Sequence, residues 1–243
     1  MSAIFDPRAV ARRFWARVGE DEPFPRRLTQ SIAAALPAAV VFIPKLTIAG
    51  TANWLSKKRI GCIASTPDRP LRGCLIAQRG HAFIFVDGTL AEDEQRLTLA
   101  HETAHFVHHY EAPRTAALQL LGSGVEPILN GDRVPTPQEK LRGALRGAPL
   151  GVYEHMLDRH DGVPDPLTSR CEAEADLIAF ELLAPANLIL RTTKPGTFCR
   201  DTLVGCYGMP AWAAARWAAW IDARRVPDGL MRRLDLARAK KEH

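Results

Sequence analysis

His101-Glu102-Thr103-Ala104-His105 places two imidazoles four residues apart with a carboxylate next to the first. On a helix that spacing stacks both rings on one face, a turn apart, within reach of one metal ion. Glu102 then stands beside that face, where it can hold a water without being a ligand itself. Zinc suits such a set because it takes imidazole nitrogen and carboxylate oxygen, and hydrolytic zinc sites keep one position open for water. The ion brings the pKa of that water toward about 7, and Glu102 takes the proton as a carbonyl is attacked. Manganese is compatible with the same donors. The competing reading makes His101 and His105 hydrogen-bonded core histidines. Leu97, Leu99, Ala100, Phe106 and Val107 favour the metal, since they give the motif the apolar packing that a buried metal helix needs.

A catalytic zinc needs a third protein ligand. The extended motif H-E-x-x-H-x-x-G-x-x-H would require Gly at 108 and His at 111, where this chain has His108 and Glu111. That class is excluded. The alternative is a carboxylate from a second helix, and Arg170-Cys171-Glu172-Ala173-Glu174-Ala175-Asp176 offers one. Glu172 and Asp176 share a face, among alanines that allow close helix approach. Glu172 is read as the ligand, and Asp176 as the acceptor for the far nitrogen of a ligand histidine, which fixes its ring. Glu174 and Glu111 are the fallback ligands. Ser169-x-x-Glu172 also fits a capping box, in which Glu172 would reach back to a backbone amide. Asp165-Pro166 offers an earlier helix start that would leave Glu172 inside the helix.

These side chains need helices and a sheet to hold them. Asp6-Pro7 signals a helix N-terminus, and Val10, Phe14 and Val18 recur at helical spacing behind it. Helices are predicted over 26–36 and 48–57, with a short strand at 40–43. Residues 71–77 and 82–86 read as strands around the turn Gln78-Arg79-Gly80-His81, so the sheet has three to five strands. Everything after Glu92 reads as helical: 92–110, 136–145, 150–157, 165–183 and 210–223, then a last basic helix after Asp228.

Gln95-Arg96-Leu97-Thr98-Leu99-Ala100-His101-Glu102-Thr103-Ala104-His105-Phe106, followed by Glu172-x-x-Ala175-Asp176-x-x-Ala179-x-x-Leu182-Leu183-x-Pro185, resembles the ImmA/IrrE family of metallo-endopeptidases. The resemblance covers roughly 80–110 and 168–190, and two separate motifs agree in order. It implies an α+β, gluzincin-like domain with a short mixed or antiparallel sheet and active-site helices. It further implies that His101, His105 and Glu172 bind zinc and that Glu102 is the catalytic base. Relatives cleave helix-turn-helix repressors in stress responses, which implies a protein substrate of that kind. Ile178 replaces a usual aromatic and Ala184 a usual Met. The roughly 60 residues between His105 and Glu172 exceed the usual spacing. They include His108, His109, Tyr110, Tyr153, His155, His160 and Arg170, any of which could polarise a scissile carbonyl. The predicted division is a metallopeptidase domain over 1–190, with a helical insert over about 112–166, and a basic helical subdomain over 191–243.

Composition bounds the remaining choices. With 47% hydrophobic and 24% charged residues, the 243-residue chain has the balance of an ordinary globular protein. Its longest apolar run, Ile32 to Pro44, is too short to span a bilayer and contains Pro37. The opening residues lack the apolar stretch of a secretory signal. Five cysteines with no C-x-x-C pair argue against a disulfide framework or zinc-thiolate site, so a cytoplasmic location is expected. Of the net charge of +5, residues 211–243 carry +4, with eight basic against four acidic side chains. Such a tail can attract nucleic acid, although Trp212, Trp217 and Trp220 suit packing, and Arg216 alone suits base reading. The main alternative to a peptidase is a non-cleaving, metal-binding sensor that holds a repressor or DNA.

Overall fold

Asp6 and Pro7 start the first helix, α1 (Pro7–Val18): the Asp6 carboxylate accepts the Arg8 N–H at 3.0 Å, and proline loses no bond at this position. Its buried stripe is Val10, Ala11 and Phe14. The computed structural model describes residues 5–19, 22–60, 67–141, 147–158, 166–192 and 199–224. The helix expected after Asp228, the end of the one expected to reach 145, and His160 lie outside those residues.

Helix α2 (Leu28–Ala35) leads into β1 (Ala38–Ile43), and α3 (Ile48–Lys57) follows. Strands β2 (Leu71–Gln78) and β3 (His81–Asp87) form the expected hairpin. Arg79 and Gly80 are both left-handed at its tip, with φ of 53° and 82°, and that twist matches the flanking strands. Helix α4 (Glu92–Ala104) runs without a break into a π-helical turn (His105–Glu111) and then α5 (Ala112–Leu121). Two short helices, α6 (Glu126–Leu129) and α7 (Pro137–Leu141), precede β4 (Tyr153–Asp158). Helices α8 (Pro166–Leu183), α9 (Ala186–Thr192), α10 (Cys199–Gly205) and α11 (Ala211–Asp222) complete the described chain.

The sheet order is β1-β3-β2-β4, with β1 parallel to β3 and the other two pairs antiparallel. One face, carrying Leu75, Ala77, Ala82, Ile84 and Val86, packs in the main core with α1, α2, α4, α8 and α11. The other, carrying Cys74, Ile76 and Phe85, packs with Ile48 and Leu55 of α3. The architecture is therefore an α+β, zincin-like domain with a helical part. Leu203, Trp217 and Ile221 of the last two helices lie in the main core, and Trp217 donates its indole N–H to the Ala184 carbonyl at 2.9 Å. Among the described residues, no helix is long and apolar enough to cross a membrane.

Strand β4 corrects the expected helix over 150–157, and with it an all-helical chain after Glu92. Without β4, one edge of β2 would leave its backbone groups unpaired against the core, whereas an eight-residue helix is marginal alone. Tyr153↔Ala77, His155↔Leu75 and Leu157↔Gly73 pair on the face toward α4, while Glu154 and Met156 point the other way. The segment about 112–166 is thus not helical throughout, and its strand belongs to the sheet.

Candidate metal centre

Helices α4 and α8 meet through small residues. Ala100 and Ala104 on one, and Ala175 and Ala179 on the other, are wholly buried in one core. Leu97, Ala100, His101 and Ala104 follow helical spacing, as do Ala175, Ile178, Ala179 and Leu182. Each apolar stripe therefore carries a polar group to the same place: His101 and His105 from α4 and its π-helical extension, and Glu172 and Asp176 from α8. Because α8 starts at Pro166, Glu172 lies inside the helix and does not cap it. On the far side, α4 presses against β2 at Gly73, where a bulge interrupts the pairing with β4. A β-carbon on Gly73 would stand 2.5 Å from Thr98 Cγ2 and 3.0 Å from Glu102 Oε1, so only glycine allows this approach.

The donor atoms converge. His105 Nε2 lies 3.1 Å from His101 Nε2, and Glu172 lies 3.2 Å from His101 Nε2 through Oε2 and 3.5 Å from His105 Nε2 through Oε1. Two atoms bound at about 2.0–2.2 Å to one tetrahedral ion stand ~3.3 Å apart, so these separations fit a shared divalent metal. His101 Nδ1 lies 3.1 Å from Asp176 Oδ1. A proton there donates to the carboxylate and leaves Nε2 as a lone pair facing the cluster. Arg216 of α11 is 2.9 Å from the other Asp176 oxygen, so the cation that sequence suited to base reading is engaged here.

His155 joins the group from β4. Its Nδ1 is 2.9 Å from Glu102 Oε2 and its Nε2 2.8 Å from Glu172 Oε1, while its ring stacks on His105 at 3.6 Å. His101, His105, His155 and Glu172 each offer a ligand atom within 4.8 Å of the others. Sequence named His155 only as one of several candidates. No motif spacing could select it, because its position depends on strand pairing across the sheet. Glu102 is fully buried; Oε2 is hydrogen-bonded as described, and Oε1 has no protein partner. A buried carboxylate oxygen left so is costly unless water or a proton meets it.

Charge and burial oppose each other among these side chains. Burial lowers the His101 pKa, but hydrogen bonds to Asp176 and Glu172 more than offset it, raising the value to about 9. For His155, burial is likewise overcome by Glu102 and Glu172, and the value is about 10. Burial prevails at His105 and lowers its pKa well below the usual range. Burial pushes the Glu172 carboxyl up, yet hydrogen bonds from the three histidines hold it well below the ordinary carboxylate range. The side chains by themselves thus gather cation around anion, a role that a bound divalent ion would take over.

Of the remaining candidates, Tyr153, through its hydroxyl, and His109 each touch His105 of the cluster. Glu111 pairs with Arg17 at 2.7 Å, and Glu174 faces His108 and His109. Tyr110 is buried and accepts the Gly80 N–H at 2.8 Å. Tyr153 places its hydroxyl 3.4 Å from His105 Nδ1, and the exposed Arg170 lies 3.5 Å from Glu174.

Residues 65–120, which include β2, β3, α4 and the π-helical turn, match the peptidase M78 family model, described as the IrrE N-terminal-like domain. No curated protein matches the chain. The matched segment ends before α8, so Glu172 and Asp176 rest on geometry alone. Over the hairpin and the H-E-x-x-H helix, residues 65–120 are thus similar to the IrrE N-terminal-like domain of the M78 peptidases, in line with the resemblance to the ImmA/IrrE family.

Proposed function

We propose that this protein is a zinc-dependent endopeptidase in which His101, His105 and Glu172 hold the metal and Glu102 is the general base. The observation that carries the reading is the convergence of His101 Nε2, His105 Nε2 and the Glu172 carboxylate within 3.1–3.5 Å, beside a buried carboxylate with an unpartnered oxygen. When bound, zinc supplies Lewis acidity and lowers the pKa of a coordinated water toward about 7. Asp176 keeps the His101 proton on Nδ1, so that Nε2 is a lone pair. Glu102 accepts a proton from the attacking water and delivers it to the departing amine. His155 Nδ1 donates to Oε2, which fixes the carboxylate and leaves acceptor capacity at Oε1. His155 Nε2 lies 2.8 Å from Glu172 Oε1, so it would turn to a carbonyl oxygen developing negative charge only once a bound metal has drawn that Glu172 oxygen away. Zinc is preferred over manganese because the donor separations suit a tetrahedral ion.

Among the described residues β4 ends the sheet, next to the cluster. An extended peptide laid along such an edge would pass its carbonyl by His155. The proposed substrate is therefore a protein cleaved in an extended segment. The resemblance to the ImmA/IrrE family makes a helix-turn-helix repressor the first to try.

The test is Glu102→Gln, which keeps the side-chain volume and removes the base. Zinc content should be unchanged, while cleavage of a candidate repressor, read as fragments on a gel, should fall roughly 10²–10⁴-fold. Wild-type fragmentation rates in that variant would overturn the mechanism. Zinc-loaded wild-type protein that binds the repressor and never cuts it would favour the sensor reading.

A further inference from the structure

The π-helical turn gathers a second set of ligand atoms next to the first. His108 Nε2 and His109 Nε2 lie 3.4 and 3.3 Å from the same atom, Glu174 Oε2, and all three donor atoms are within 4.8 Å of one another. Consecutive residues on an α-helix point about 100° apart and seldom share a partner. Here the Ala112 N–H reaches back to the Val107 carbonyl, five residues away, and the two rings sit 4.8 Å apart. Glu174 comes from α8, two residues after Glu172, so the same helix pair builds both clusters. The side chains of His108, His109 and Glu174 are 26%, 12% and 18% exposed, open enough for an ion to arrive. Arg170 touches the other Glu174 oxygen from an exposed position, and Phe5 packs on His108 at 5.1 Å.

We propose that His108, His109 and Glu174 form a second, weaker site for a divalent transition metal, distinct from the catalytic centre. Two imidazoles and one carboxylate are a complete protein ligand set for zinc with a position left for water, and separations of 3.3–3.4 Å fit it. The weaker affinity follows from hydrogen-bond accounting. His109 Nδ1 is 3.2 Å from His105 Nδ1, a hydrogen bond only when one proton lies between the two rings, and the Tyr153 hydroxyl is 3.4 Å from the same His105 atom. His105 needs that proton on its own Nδ1 if Nε2 is to bind the first ion. His109 would then carry its proton on Nε2, where the second ion must bind. Filling both sites therefore breaks this bond or removes its proton, and the loss of one hydrogen bond corresponds to roughly a tenfold change in affinity. The second ion should also loosen the first, which would make excess metal a brake on the enzyme.

The test is zinc uptake by the metal-free full chain, measured by equilibrium dialysis in wild type, His108→Gln, Glu174→Gln and Glu172→Ala, with circular dichroism as the folding check. Wild type should take two equivalents, the second at least about tenfold weaker. His108→Gln and Glu174→Gln should each lose the weaker equivalent and keep the tighter, and Glu172→Ala should do the reverse. A single equivalent at saturating zinc, or a second one that survives in both His108→Gln and Glu174→Gln, overturns the proposal. Should Glu174→Gln fail to fold, His108→Gln decides alone. Persistence of the tight equivalent in Glu172→Ala would count against the catalytic ligand set and leave the second site standing.

Discussion

Gly73→Ala probes the contact that fixes Glu102, the proposed base, against the sheet. The new methyl carbon would lie 2.5 Å from Thr98 Cγ2, 3.0 Å from Glu102 Oε1 and 3.4 Å from Glu102 Cγ. Non-bonded carbons settle at about 3.5–4.0 Å, so β2 and α4 must separate by ~1 Å or Thr98 must turn. Thr98 is buried on all sides, which leaves little room for turning. Overpacking on this scale costs about 1–3 kcal/mol. For a chain of this length that lowers Tm by roughly 2–12 °C. A shift of ~1 Å at the reacting groups costs about 10²-fold in rate. Both losses should appear together, in a thermal melt and in initial rates of peptide cleavage. Gly50→Ala is the control. It lies in α3, where a β-carbon meets nothing nearer than Thr47 Oγ1 at 3.4 Å. There alanine should stabilise by about 0.4–1 kcal/mol, because it restricts the unfolded chain. Wild-type Tm and rate in Gly73→Ala would refute the close packing of α4 on β2.

Other perturbations separate the roles at the site. Asp176→Asn should weaken zinc binding by about 10–100-fold, because a neutral amide holds the His101 Nδ1 proton less firmly than a carboxylate does. Competition against a chromogenic chelator measures this, and unchanged affinity would remove Asp176 from the account. His155→Gln should keep the tight zinc equivalent and reduce cleavage by roughly 10²-fold or more, since Glu102 loses its partner and the carbonyl its donor. Loss of zinc in that variant would make His155 a ligand instead.

Local chemistry explains which parts of the fold could be read in advance. The Asp6-Pro7 start, the Arg79-Gly80 turn and the apolar stripe of α8 are decided by neighbours in sequence, and all appear in the structure. The pairing of the H-E-x-x-H helix with Glu172 was equally legible, because alanines and carboxylates share one helical period on α8. β4 was not legible. Tyr-Glu-His-Met-Leu-Asp sets a histidine on the inward face where a core strand would carry an aliphatic side chain, so its alternation is broken at the residue that reaches the site. The π-helical turn was hidden for a related reason. Nothing in His105-Phe106-Val107-His108-His109 distinguishes a wide turn from an ordinary one, and the bond from the Ala112 N–H to the Val107 carbonyl is visible only in the fold.

The position of a bound metal decides the ligand assignment most directly. Crystals of the protein loaded with one equivalent of zinc, measured at the zinc absorption edge, should show an anomalous peak bounded by His101 Nε2, His105 Nε2 and a Glu172 oxygen. A peak bounded by other side chains, or no peak beside these three, would contradict the assignment.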